Sequence, residues 1–350
     1  LEGDVVWVVA LDDGSLSGWR VEDRSPVPVE LNAAALAPGA SPVVIAGTDT
    51  VAVVVPPADV STFSPPLPLA DGGLAYVTAD GTLAIERAGE KDHFEIDALP
   101  DTRIVRSSDG RLAVLSAATT RYRHGVLGDD VEAAGITIVD PEAGRIVAAI
   151  EIPVPAVIEG ISALWADADG DARDDLLVTV SDSAGGARLV LYDSDGTLVA
   201  EGPAIGRGNR WRNQLAVAAV GPAAEVEVVD VRVPHIGGVV EFFTLEGDQM
   251  VRSAELGGFT THSIGSRNLD LGLVADVDGD ERIEVLVPNQ SRNALGVLRR
   301  TNDGVELVAD VDIPGTLTSN LAAVADEAGA IWFAAGTDDE VLRVWPGATG

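Results

Sequence analysis

Two short loops carry the residues with the most definite chemistry in this chain. The first holds Asp167, Asp169, Asp171 and Asp175, and the second holds Asp276, Asp278, Asp280 and Glu284. In each, side-chain oxygens fall at relative positions 1, 3, 5 and 9, and the main-chain carbonyl of Arg173 or Arg282 falls at position 7. Alternate spacing lets a curled loop turn three side chains toward one hard cation. So many carboxylates in a small volume repel one another unless a cation neutralises them. Calcium suits such an all-oxygen set, because magnesium demands a tighter octahedron and keeps several waters. The expectation is two bound calcium ions.

An EF-hand begins the same way, but its twelfth position is a bidentate Glu and its flanks are helical. Here position twelve is Val178 in one loop and Val287 in the other, between short Val- and Leu-rich segments that read as strands. The loops therefore join strands, and the positioning elements are β.

A blade-like unit recurs around them: strand, acidic or small loop, strand, turn, strand, Asp-Gly-type turn, strand. One unit runs from 163 to 200 through the first acidic loop. The next runs from 214 to 254, and its first loop (221–225) has lost the carboxylates. A third runs from 271 to 311 through the second acidic loop. An earlier unit occupies 102–152, with a long loop at 119–134 between its second and third strands. Three strands follow at 320–325, 330–335 and 341–345. The first hundred residues repeat less cleanly, with strands expected at 5–11, 15–21, 43–55, 73–78, 82–87 and 93–96. Pro-rich pieces at 25–29 and 64–68 read as breaks, and 31–36 as a short turn.

The two acidic loops begin 276 − 167 = 109 residues apart with one unit between them, so the repeat is roughly fifty residues, a propeller-blade period. The fold class expected is all-β, one β-propeller domain over residues 1–350. Seven four-stranded blades fit best, six or eight remaining open, with the strand at 5–11 completing the last blade and closing the ring. Closure removes the free edges that an open array would expose.

Composition narrows the function classes. The chain has 350 residues, 46% of them hydrophobic, and a formal net charge of −33, which argues against nucleic acid and anionic membranes. No apolar run approaches a membrane span. There is no Cys, so disulfides and thiolate chemistry are excluded. Calcium loops of modest affinity fill best outside the cytosol, and the chain starts at Leu1, so a secreted or periplasmic bacterial protein with its signal peptide removed is expected.

The loops resemble those of the FG-GAP and VCBS-type repeats of bacterial secreted proteins and integrin alpha-subunit propellers, which read Asp-x-Asp/Asn-Gly-Asp-Gly-x-x-Asp. Positions 1, 3, 4, 5 and 9 match in both copies, with Glu284 in place of Asp. Position 6, usually Gly, is Ala172 in one and Glu281 in the other, and the Phe-Gly and Gly-Ala-Pro signatures are absent. The resemblance covers about a third of the chain and implies a calcium-stabilised propeller; a fold of this kind hosts many functions.

Loops of a propeller alternate faces. Residues 121–124 and 234–238 fall in second-to-third-strand loops, and 207–212 and 261–267 lead into first strands, so all four are expected on the face opposite the calcium. Arg121, Arg123, His124, Arg207, Arg210, Arg212, His235, His262 and Arg267 would then form a cationic cluster fit to bind a carboxylate, sulfate or phosphate. The bland reading is that these Arg pair with the abundant Asp and Glu. No Gly-x-Ser-x-Gly elbow, His-Glu-x-x-His motif or phosphate-cradling Gly loop occurs. The leading expectation is a non-catalytic binding or scaffold module for a protein or acidic glycan. The alternatives are a uronate lyase using the His/Arg face and a purely structural role in an extracellular assembly.

Overall fold

Short Val- and Leu-rich segments separated by Gly- and Asp-containing turns give antiparallel meanders, and a computed structural model of the chain is built from them. It describes residues 5–22, 24–33, 35–46 and 51–346, with no helix among these and therefore none long and apolar enough to cross a membrane. The chain divides into two compact units, 1–118 with 133–151 and 161–163, and 119–132 with 152–160 and 164–350.

In the first unit, strands Leu67–Pro68, Leu74–Val77, Thr82–Arg87 and Glu90–Glu95 make a four-stranded sheet. Val105–Arg106, Leu112–Thr119, Glu132–Asp140 and Arg145–Glu151 follow in the same order. Leu83, Ile85, Leu112, Val114 and Val139 belong to the apolar cluster packed between these two sheets.

Two Pro-rich pieces differ from the sequence expectation. Ser25–Val29 is the third strand of a sheet with Val6–Ala10 and Leu16–Glu22, and Leu67–Pro68 is itself a strand. Pro26 and Pro28 alternate along an edge strand, where a missing N–H on the outer side breaks no ladder bond. The single strand expected at 43–55 is a hairpin of Val44–Ala46 and Val51–Val53; residues 47–50 lie outside the described residues.

The second unit contains three full meanders. They are Leu164–Ala166, Asp175–Asp182, Gly186–Tyr192 and Leu198–Glu201; then Arg212–Ala218, Glu227–Arg232, Val239–Glu246 and Gln249–Gly257; then Leu273–Ala275, Glu284–Pro288, Ala294–Thr301 and Gly304–Asp312. A three-stranded sheet of Ala322–Ala325, Ile331–Gly336 and Leu342–Trp345 ends it, and the N-terminal strand expected to complete this sheet, Val6–Ala10, pairs with Leu16–Glu22 instead. Second strands are buried almost throughout, whereas the fourth, Gln249–Gly257, exposes most of its length. Core clusters lie between successive sheets: Leu177, Leu189 and Leu191 meet Val228, Phe243 and Met250, and Val229 and Phe242 meet Val285 and Leu298.

Each sheet thus hides its apolar face only against the next. Phe242 is fully buried in one such interface. Phe242→Ala is expected to cost about 3–5 kcal/mol, because the neighbouring sheet cannot collapse into the space. Urea unfolding of the variant against wild type measures this, and a loss under 1 kcal/mol on the same scale would show that the interface is loosely packed.

Candidate functional sites

The two acidic loops occupy the same place in their meanders, between first and second strands, and in the same register. Ala166 pairs with Asp175 in one and Ala275 with Glu284 in the other. The loops curl through their own carboxylates. Asp167 accepts from the N–H groups of Gly170 (2.8 Å) and Ala172 (3.1 Å), and Asp276 from those of Gly279 (2.7 Å) and Glu281 (2.9 Å). Carboxylate oxygens of Asp167, Asp169 and Asp175 lie within 4.8 Å of one another, as do those of Asp276, Asp278 and Glu284, so each triple can hold a metal ion. The donor set is all carboxylate, which suits a hard cation.

The remaining expected ligands are placed differently. Asp171 turns to the Arg173 guanidinium at 2.7 Å, Arg173 being mostly exposed. Asp280 turns to Arg299, and the Arg282 side chain donates to the Arg300 carbonyl at 2.9 Å.

Arg299, which the spacing did not reveal, makes the two loops electrostatically unequal. Its guanidinium lies 2.8 Å from Asp278, 3.0 Å from Asp280 and 2.7 Å from Glu284. Arg299 Nε donates to Glu284 at 2.9 Å, whereas among the described residues no arginine pairs with Asp175. The signal available in the sequence was cross-strand, since Arg299 faces Glu284 only once the hairpin is paired. Burial first, then the charges of Asp169 and Asp171, push Asp175 up to about 6. Burial also raises Glu284, with Arg299 pulling the other way.

Position 6 of both loops has a left-handed backbone, φ 67° at Ala172 and 66° at Glu281, which explains the usual glycine there. Ala172→Gly and Glu281→Gly are each expected to be neutral to stabilising by up to about 1 kcal/mol, the relieved strain slightly exceeding glycine's entropy cost. Thermal melts check this, and clear destabilisation would mean the side chains make favourable contacts.

Of the residues expected to form a cationic face, the structure gathers the histidines. Ring centres of His124 and His235 are 6.3 Å apart, and those of His235 and His262 are 5.9 Å apart. Trp211 meets His262 edge-on at 4.9 Å, and Tyr122 meets His124 at 6.2 Å. Glu159, only 1% exposed, accepts from His124 Nδ1 and from the Ser181 hydroxyl. The backbone holds it in place, with Glu159 N–H bonded to the Thr179 carbonyl and Trp211 Nε1–H bonded to the Glu159 carbonyl. Val233, two residues before His235, is a β-branched residue at φ 49°, a strained conformation of the kind stored at functional sites. Burial pushes His262 down to about 4 and lowers His235 as well, so neither imidazole supplies positive charge near neutral pH.

Three of the six arginines are committed elsewhere. Arg121 donates to the Ala156 and Ile152 carbonyls, and Arg267 pairs with Asp129 at 2.6 Å. Arg212 requires a correction: it opens a strand rather than ending a loop, and its side chain is buried against Asp230 (2.8 Å) and Glu241. Arg123, Arg207 and Arg210 are exposed and have no ion-pair partner among the described residues. Tyr122, Glu159 and Trp211 carried no spacing signal, although a lone Glu inside the apolar run 154–161 hints at a buried charge.

The Arg212 network gives a pH test. Burial, with Glu241 alongside, raises Asp230 to about 6 against the pull of Arg212. Between that value and the ordinary 3.8, the folded chain holds a proton that the unfolded chain releases. Asp230 therefore adds stability as pH falls through 6, and this contribution is absent above. In urea titrations from neutral to mildly acid pH, Asp230→Asn should gain less on acidification than wild type. Parallel pH profiles would contradict the assignment.

No protein-family model and no curated protein matches the chain. Among solved structures it is similar to BBS1N in complex with ARL6DN. In lead-soaked crystals the identity is 15%, covering 99% of this chain and 89% of that chain, with a TM-score of 0.50. In mercury-soaked crystals the identity is 14%, covering 100% and 94%, with a TM-score of 0.50. A catalytically inactive virginiamycin B lyase from Staphylococcus aureus is 14% identical over 80% of this chain and 83% of that one, at a TM-score of 0.43 that carries no inference. At such identity the likeness speaks to fold alone, and the fold is a β-propeller.

Proposed function

We propose that this chain is a calcium-stabilised, non-catalytic extracellular propeller of FG-GAP/VCBS-like type that serves as a docking module for a protein partner. One observation carries the calcium reading: two loops in equivalent positions of two blades each bring three carboxylates within 4.8 Å. A cation that binds the folded loops but not the unfolded chain stabilises the fold in proportion to its occupancy. The two sites are unequal in this reading. The Asp167–Asp175 loop has no internal guanidinium among its gathered carboxylates, whereas an ion entering the other must first displace Arg299.

The partner class rests on surface chemistry. Ile236 and Ile264 are 67% and 66% exposed in the loops that carry His235 and His262, and Arg123, Arg207 and Arg210 are exposed in loops bonded to one another through Asn209. Exposed apolar side chains together with exposed arginines suit a protein surface. BBS1N, of the same fold, was crystallised in complex with ARL6DN.

Calorimetric titration of chelator-treated protein is expected to show one stronger and one weaker calcium site. Asp169→Ala should abolish the stronger, and Arg299→Gln should tighten the weaker. Excess EDTA should lower the melting temperature of the calcium-loaded protein. No calcium uptake at millimolar concentration would end the calcium reading.

A further inference from the structure

We propose that His124, His235 and His262 form a second, chemically distinct metal site, selective for a divalent transition metal of the zinc, nickel and cobalt class. Tyr122 and Glu159 complete its surroundings.

One nitrogen in each of two rings is already committed. Ser266 offers His262 a carbonyl at 2.8 Å, and a carbonyl only accepts, so Nε2 carries the proton and Nδ1 keeps its lone pair. The Glu159 carboxylate likewise takes the Nδ1 proton of His124 and leaves Nε2 for a further bond. Imidazoles that ligate metals are held in this way, the far nitrogen donating to a carboxylate or a backbone carbonyl that fixes tautomer and ring angle. Two of the three rings already have that support, and the carboxylate is itself fixed by Ser181.

The second observation is what remains unpaired. His262 Nδ1, His235 Nδ1 and Tyr122 Oη are all buried without a hydrogen-bond partner. His262 is 2% exposed and Tyr122 4%, so neither can turn to bulk water for one. Buried polar atoms are nearly always satisfied, and several orphans in one cluster point to a ligand. Nitrogen lone pairs repel an anion and attract a Lewis acid. Imidazole favours zinc, copper, iron and nickel, whereas carboxylate sets favour calcium and magnesium, so the two kinds of site sort cations by hardness.

The ring nitrogens are not gathered within 4.8 Å as the acidic loops are, so binding requires the rings to be drawn together with the Glu159 and Ser266 groups that support two of them. Trp211 lies against His262 and will report that movement.

The test uses the full chain, stripped with EDTA and held in excess calcium so that the acidic loops are filled. Titration with nickel is expected to load one ion per chain, and cobalt is expected to quench a component of the tryptophan emission that Trp211→Phe lacks. His235→Ala and His262→Ala should each weaken nickel binding by at least about tenfold, and Glu159→Gln by about ten- to a hundredfold. His93→Ala, on an exposed strand of the other unit, should leave it unchanged. Should buried His262→Ala fail to fold, the half-buried His235→Ala still decides. The proposal is overturned if no nickel is taken up, if calcium displaces it, or if uptake is equal in wild type and His235→Ala.

Discussion

Like charge confined to a small volume is the constraint on which the rest of this structure turns. At an effective dielectric near 20, two carboxylates 4 Å apart repel by about 4 kcal/mol, and each acidic loop gathers three within 4.8 Å. Nothing in the blade interfaces can remove that cost, because it is generated at the ends of buried strands: Asp175 is 3% exposed and Glu284 fully buried. A counter-charge must be supplied. One loop has Arg299 beside its buried Glu284; in the other, Arg173 pairs with Asp171, and no arginine among the described residues pairs with Asp175.

The same shortage governs where the arginines go. The chain has 23 basic residues against 56 acidic ones. Arg212 is consumed by Asp230 and Glu241, and Arg300 binds Glu227 at 2.8 Å with both side chains almost fully buried. Removing one partner from such a pair leaves a buried charge uncompensated, which costs more than the pair contributes. The few arginines left over stand out on the surface, and the histidines form a row of ring contacts in which His235 Nδ1 and His262 Nδ1 have no hydrogen-bond partner. The broad cationic face expected from loop topology separates into exposed arginines and a partly buried histidine row.

The loops were legible in the sequence because their chemistry is local: spacing of one, three and nine is enough to specify a curl. The meanders were legible for the same reason, since Val runs and Asp-Gly turns act over a few residues. Ser25–Val29 was hidden because proline reads as a breaker, and only pairing shows that its missing N–H groups face outward. Arg212 was misread because a strand's first residue looks like a loop's last. Arg299 and Glu159 lay beyond reach for a different reason: each matters through a partner at least fifteen positions away, brought close only by folding.

The account stands or falls on a cation occupying the Asp167–Asp175 loop. Anomalous diffraction from crystals grown in calcium measures this directly. A peak bounded by Asp167, Asp169 and Asp175 is predicted, stronger than any peak at the second loop, where Arg299 must have swung away for one to appear. Ordered carboxylates at both loops with no anomalous peak at either would contradict it.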